Sequence, residues 1–252
     1  MSGLQPYDLL LIAGAALWGG VAGLFVPRAA YRFSVAPEEP WATRCPEGHL
    51  IGGRGGGWIG PARCPDCGGG RAYGPSSPLV SVTTALVCGA LAAATGTRPE
   101  LAVWLLLAPL GVLLAVVDFR VQRLPDVLTL PLAGAALALL AGAAVAPEHA
   151  GNWPTALYGA LALGAGYFVL FLVNPTGMGF GDVKLALGLG AVLGWYGWGT
   201  VLLGTFAGFL FGGLYGMALV VARRAGRKTS IPFGPFLIAG AFTGLLIGAY
   251  AA

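Results

Sequence analysis

The chain has 252 residues, of which 57% are hydrophobic and 10% charged, with a formal net charge of +4. Soluble domains carry roughly 25% charged residues, and disordered chains combine high charge with low hydrophobicity, so this composition fits neither class. The 43 glycines follow no three-residue period, which excludes a collagen-like helix, whereas small residues inside apolar runs let membrane helices approach closely.

Taken in chain order, the apolar runs are 9–26, 79–95, 101–117, 127–146, 154–173, 183–199, 200–222 and 235–252. A bilayer core of ~30 Å needs about 20 helical residues, so each run is a predicted span, the shortest tilted or extended by a turn. The predicted fold is an all-α polytopic membrane protein of about eight transmembrane helices with a small cytoplasmic knuckle-like insert. The expected division is a first transmembrane helix over 1–26, a Gly-rich Cys/His insert over 27–78 and a membrane domain over 79–252. No basic residue precedes Arg28, and Asp8 is acidic, so the first run lacks the basic start of a cleaved signal and is expected to be a permanent helix. Trp195, Tyr196 and Trp198, at the join of the sixth and seventh runs, are expected to form an aromatic interface belt.

Thirteen of the 14 Lys and Arg residues fall on one side of this arrangement. Arg28, Arg32, Arg44, Arg54, Arg63 and Arg71 lie between the first two spans, Arg120 and Arg123 follow the third, Lys184 follows the fifth, and Arg223, Arg224, Arg227 and Lys228 follow the seventh; Arg98 alone lies opposite. The positive-inside rule makes these loops cytoplasmic, with both termini outside. The net charge is thereby a topology signal and calls for no nucleic acid partner; the expected surroundings are a lipid bilayer.

Residues 27–78 have too little apolar surface to build a core, so the segment is either a floppy loop or stapled. Cys64-Pro65-Asp66-Cys67-Gly68 is a C-x-x-C knuckle, and Cys45-Pro46-Glu47-Gly48-His49 resembles a second knuckle in which Gly48 replaces a thiol and His49 supplies the fourth ligand. Cys45, His49, Cys64 and Cys67 make a Cys3His donor set of the kind that holds structural zinc, and a reducing cytoplasm favours metal over disulfide. The competing reading is a relic knuckle with a solvated histidine. Cys88, inside the second span, reads as a small buried apolar residue.

Ionisable groups in or beside membrane helices are functional candidates, because a charge at a helix centre costs about 2.5–3.5 kcal/mol. Asp118 ends the third span after an unbroken apolar run, and Asp182 opens the sixth after Gly177-Met178-Gly179-Phe180-Gly181. Two crossings separate them, so both belong to the cytoplasmic face. Two carboxylates held close share a proton, so that one serves as base and the other as acid, which suits hydrolysis of a peptide bond without a catalytic metal. The competing reading is two carboxylates capping helix ends. No Ser–His pair, H-E-x-x-H motif or Walker loop is present.

Three segments together resemble the prepilin peptidases. They are Asp118-Phe119-Arg120-Val121-Gln122-Arg123-Leu124-Pro125-Asp126, Gly179-Phe180-Gly181-Asp182-Val183-Lys184 and Ile231-Pro232-Phe233-Gly234-Pro235-Phe236. The cysteine-bearing loop after the first span resembles that family's zinc-knuckle insert. The resemblance implies an integral-membrane aspartic endopeptidase of the bacterial inner membrane, acting at the cytoplasmic membrane edge. It would remove the short basic leader of type IV prepilins and type II secretion pseudopilins, and N-methylate the new terminus from S-adenosylmethionine. Asp118 and Asp182 match the catalytic pair. Gly179, Gly181, Lys184, Pro125, Asp126, Pro232 and Gly234 match motif or substrate-binding positions, Asp126 a less central one with no partner evident in the sequence. The chain departs from the family at Gly48 and in the shortness of its insert, and the Asn usual near the first span is absent. These departures bear on methyl transfer more than on proteolysis. The rival functions are a proton-coupled transporter or channel using the same acids, and a structural scaffold of a secretion machine that needs neither. The oligomeric state is not legible.

Overall fold

The computed structural model describes residues 5–36, 38–68, 70–175, 177–222 and 231–252, without the side chain of Arg54. The basic cluster Arg223, Arg224, Arg227 and Lys228 lies outside the described residues. Among those described there is no β-strand. The elements are α1 (Pro6–Phe33), a four-residue turn α2 (Arg54–Gly57), α3 (Ser77–Thr95), α4 (Glu100–Val121), α5 (Asp126–Ala144), α6 (Trp153–Val173), α7 (Phe180–Gly194), α8 (Trp198–Val221) and α9 (Gly234–Ala251).

Seven of these helices are long and apolar enough to cross a membrane, which makes this a multi-pass membrane protein. The sixth expected span is the exception: α7 has 15 residues, about 22 Å at ~1.5 Å per residue, shorter than a ~30 Å hydrocarbon core. The chain turns at Trp195–Gly197, where Gly197 takes a left-handed φ of +99° and so ends one helix and starts the next. The first helix also exceeds its expected end, running through Pro27 to Phe33.

The chain divides into two compact units. The first comprises Met1–Thr97 and Trp104–Val121, the second Arg98–Val103 and Gln122–Ala252, so that α4 contributes to both. In the first unit, α1 packs on α3 through Gly19 and Gly23, spaced four apart. A Cβ at Gly19 would lie 2.5 Å from the Thr84 carbonyl oxygen, and one at Gly23 2.7 Å from Ser81 Cα. Only glycine permits that approach. Cys88 is fully buried in this seam, as a small apolar residue. The Trp18 indole donates to the Leu105 carbonyl at 2.9 Å.

In the second unit the same device recurs. Gly159 of α6 meets Gly190 and Gly194 of α7, and Gly204 and Gly208 of α8 meet Gly240 of α9, all at backbone contact. The far end of this unit is closed by a buried polar group. Glu100 is fully buried, and its Oε1 accepts from the Tyr196 hydroxyl at 3.2 Å and the Ala150 N–H at 3.3 Å. Arg98 Nε stands 4.0 Å away, and Arg98 also donates to the Ala249 carbonyl. Trp195 is buried against Gly151. Trp195 and Tyr196 therefore face inward, and of the expected aromatic belt only Trp198 is exposed.

Candidate functional site

The insert between α1 and α3 is built from two tight turns, each closed by a single antiparallel bridge, Arg44 with Leu50 and Arg63 with Ala72. In the first, Cys45 N–H donates to the His49 carbonyl at 2.9 Å and Gly48 N–H to the Cys45 carbonyl at 2.9 Å. Gly48 is left-handed, φ +87°. The residue that costs this turn a thiol thus supplies the backbone reversal that carries His49 round to the sulfurs. In the second, Cys64 N–H donates to the Arg71 carbonyl and Gly70 N–H to the Cys67 carbonyl.

These turns bring together all four residues expected to hold a metal. One ligand atom each from Cys45, His49, Cys64 and Cys67 lies within 4.8 Å of all the others. Cys45 Sγ is 3.7 Å from Cys67 Sγ and 3.6 Å from His49 Nδ1, and Cys67 Sγ is 3.4 Å from the same nitrogen. A tetrahedral ion with metal–sulfur bonds of about 2.3 Å and metal–nitrogen bonds of about 2.0 Å sets neighbouring ligands about 3.8 Å apart (S···S) and about 3.5 Å apart (S···N). The donor set therefore fits a tetrahedral metal, with Nδ1 as the imidazole ligand. Burial pushes both the Cys45 and Cys67 thiols up. At Cys45 the backbone around His49 and Glu47 and the His49 and Cys64 side chains outweigh it, bringing the group down to about 6. At Cys67 the neighbouring Cys64 and Cys45 add to burial, and the thiol is pushed up to about 12. Three sulfurs this close repel one another as thiolates, and a cation among them relieves that.

Around this cluster the apolar core is small: Cys45, Ala62, Cys64, Cys67 and Tyr73, with Tyr31 and Ile51 against it. Further fastening comes from the ring contacts of Phe33 with Trp41 and Trp58 and from two arginines one turn apart on α1, which composition had marked only as topology signals. Arg28 is buried and donates to the carbonyls of Pro61 at 3.0 Å, Gly52 at 3.2 Å and Ile59 at 3.2 Å. Arg32, also buried, donates to the Gly56 carbonyl at 2.8 Å and stacks 3.9 Å over the Trp58 ring. Gly55 and Gly56 are both left-handed, which turns that carbonyl toward the guanidinium. The i,i+4 spacing of two arginines ahead of a Gly-rich stretch was the available signal.

The second candidate centre is acidic. Asp118 lies in the last turn of α4, buried beside the fully buried Val117, in the first unit. Gln122 ends that helix with φ +51°. Asp182 lies in the first turn of α7, buried, in the second unit. Its Oδ2 accepts the Gly179 N–H at 3.1 Å, and its own N–H donates to the Gly179 carbonyl at 3.0 Å. A carboxylate there satisfies an N-terminal donor and meets the positive end of the helix dipole.

Asp126, for which the sequence offered no partner, has one. Its Oδ2 lies 2.6 Å from Lys184 Nζ. Pro125 caps α5, its carbonyl accepting from the Leu128 and Thr129 N–H groups. Gly181 sits against Leu124, where a Cβ would fall 2.9 Å from Leu124 Cβ. The third motif segment opens α9: Gly234 is its buried first residue, and Pro232 lies just ahead of it. The intervening Phe233 packs on Phe209 at 5.2 Å and Tyr167 at 6.4 Å.

Comparison with known proteins finds a match to the type IV leader peptidase family over residues 104–217. That stretch contains Asp118, Asp126, Asp182 and Lys184 and leaves out the insert. The chain is similar to a prepilin leader peptidase/N-methyltransferase of Pseudomonas aeruginosa, 34% identical over 194 residues covering 74% of this chain and 62% of the relative. It is 35% identical over 206 residues to a protein of the same name from Aeromonas salmonicida, covering 76% of this chain and 64% of the relative. Leader peptidase HopD of Salmonella typhimurium is 36% identical over 144 residues, covering 54% of this chain and 88% of the relative. The chain thus spans a little under two thirds of the length of the first two relatives. No solved structure matches it significantly.

Proposed function

This chain belongs to the type IV leader peptidase family, and we propose that it is a membrane aspartic endopeptidase that removes the basic leader of type IV prepilins and of type II secretion pseudopilins. In this reading Asp118 and Asp182 are the catalytic residues. One carboxylate takes a proton from water as it attacks the scissile carbonyl, the other protonates the departing amine, and together they titrate as one unit. Gly179 leaves the backbone beside the Asp182 carboxylate without a side chain, so an extended peptide can approach there, while Gly181 lets α7 close on Leu124. Pro125, Asp126, Lys184, Pro232 and Gly234 shape the surrounding helix starts.

The observation that carries the reading is Asp182 itself: a buried carboxylate at a helix N-terminus, its Oδ2 bonded to the first glycine of Gly179-Phe180-Gly181-Asp182. Both acids lie in terminal turns of their helices, whereas transporter sites lie near the bilayer midplane at broken helices; this favours the peptidase over the transporter.

The metal we assign to Cys45, His49, Cys64 and Cys67 is zinc, in a closed structural role that leaves it no part in hydrolysis. We propose that the protein also N-methylates the new terminus, the methyl group coming from S-adenosylmethionine, and we assign no residues to that donor. The location is the bacterial inner membrane, with the acids at the cytoplasmic face and both termini outside. That orientation requires α7 to cross despite its length, with the bilayer thinned around it.

The test is to incubate the protein in liposomes with a full-length pilin-like substrate bearing its leader, and to read intact mass and N-terminal sequence. The expected result is loss of the leader without added metal, and gain of one methyl group when S-adenosylmethionine is present. An intact leader after prolonged incubation contradicts the peptidase; a cleaved but unmethylated product contradicts only the methyltransferase.

A further inference from the structure

The start of α5, with the residues just ahead of it, and the first turn of α7 are joined by two contacts. One is the ion pair between Lys184 Nζ and Asp126 Oδ2 at 2.6 Å. The other is the seam at which Gly181 has no room for a side chain against Leu124. Leu124 is buried, and the Pro125 carbonyl that follows accepts two N–H bonds, so 124–126 is a stiff shelf. Lys184 is held from a second side by the Phe180 ring, 4.9 Å from its ammonium. The Lys184 side chain is 19% exposed and that of Asp126 is 60% exposed, so one end of the pair is largely withdrawn from screening solvent. Asp182 lies between the two fastened positions, Gly181 and Lys184.

We propose that Asp126 and Lys184 are positioning residues. Their ion pair, with the Leu124–Gly181 seam, fixes the first turn of α7 and hence the direction of the Asp182 carboxylate, and neither side chain binds substrate. The inference rests on the peptidase reading of Asp182. It gives Asp126 a task that acts through Lys184, although the two are far apart in sequence.

The test uses the full chain in liposomes with a pilin-like substrate, measuring kcat and KM for Asp126→Asn, Lys184→Met, the double variant, Lys184→Arg and Asp182→Asn. Misplacing a catalytic group by about 1 Å costs on the order of a hundredfold, so each single neutralisation should lower kcat by about 10- to 100-fold and leave KM within about twofold. The double variant should be no worse than the worse single, because both remove one interaction. Lys184→Arg, which keeps the charge, should restore kcat to within a few-fold of the wild type. Multiplying losses in the double variant, or a raised KM at unchanged kcat, would overturn the proposal and make the residues independent substrate contacts. Should Lys184→Met fail to insert, Asp126→Asn carries the same kcat-against-KM test, since it changes an exposed carboxylate. Full activity in Asp182→Asn would defeat the peptidase reading itself, separately from the positioning role.

Discussion

In the insert between α1 and α3, Gly48 adopts a left-handed backbone and swings His49 toward three sulfurs. Between α6 and α7, Gly159 and Gly190 stay helical and let two backbones touch. One residue type thus bends the chain in one region and brings chains together in the other. The difference shows where each region keeps its stability. The insert has few buried apolar side chains, so its order is concentrated in four ligand atoms and the carbonyls around Arg28 and Arg32. In the helices of the second unit, order is spread over long seams of small residues, where dispersion contacts are individually weak and collectively large.

Removing the metal should give the largest effect and the most local one. Structural zinc contributes about 10–16 kcal/mol of binding free energy in small knuckle peptides. Chelation under mild denaturation, or Cys64→Ala, is therefore expected to abolish amide-exchange protection over 42–73 while α5–α9 keep theirs. Purified, unchelated protein should contain one zinc, with three sulfurs and one nitrogen in its absorption spectrum. Protection over 42–73 that survives complete zinc removal would erase the contrast between the regions.

Gly190→Leu should act in the opposite place. A side chain there meets the Gly159 backbone rather than a movable side chain, so α6 and α7 must separate. The expected cost is about 3 kcal/mol, with a lowered midpoint for unfolding in detergent and unchanged zinc content. The smallest of the three effects belongs to Arg28→Met, which keeps much of the stem and removes the donors. Loss of hydrogen bonds from a charged group to three carbonyls should loosen 52–61 by about 2 kcal/mol, read as faster exchange there with the metal retained. Zinc loss in Arg28→Met would show that the two fastenings are one cooperative unit.

Much of this architecture was legible from hydropathy, because long helices in lipid must be apolar and satisfy their own backbone. The metal set was legible because C-x-x-C spacing constrains geometry locally. The break between the sixth and seventh runs was legible from their aromatic join, but the inward turn of Trp195 and Tyr196 was not, since their partners Gly151 and Glu100 lie far along the chain. Arg28 and Arg32 were legible as charges but not as donors, because their acceptors are carbonyls, and a sequence does not show where a carbonyl points. Glu100 was hidden for a related reason: its burial depends on Tyr196 and Ala150, both far along the chain. The pairing of Asp126 with Lys184 was likewise a tertiary fact, although both stood in recognised motifs.

The central claim is that two carboxylates, and no metal, cleave the leader. Its most direct test is leader removal from a pilin-like substrate in liposomes by the wild type, Asp118→Asn, Asp182→Asn and the double variant, with and without a chelator. Asparagine keeps the shape of the side chain and removes the group that can cycle a proton. Each single variant should lose cleavage by about a thousandfold or more, and the double should be no worse than either, as for residues acting as one unit. The wild type should keep cleaving in chelator even as its zinc is stripped. Substantial cleavage by either single variant, or loss of wild-type cleavage to chelator alone, would contradict the aspartic mechanism.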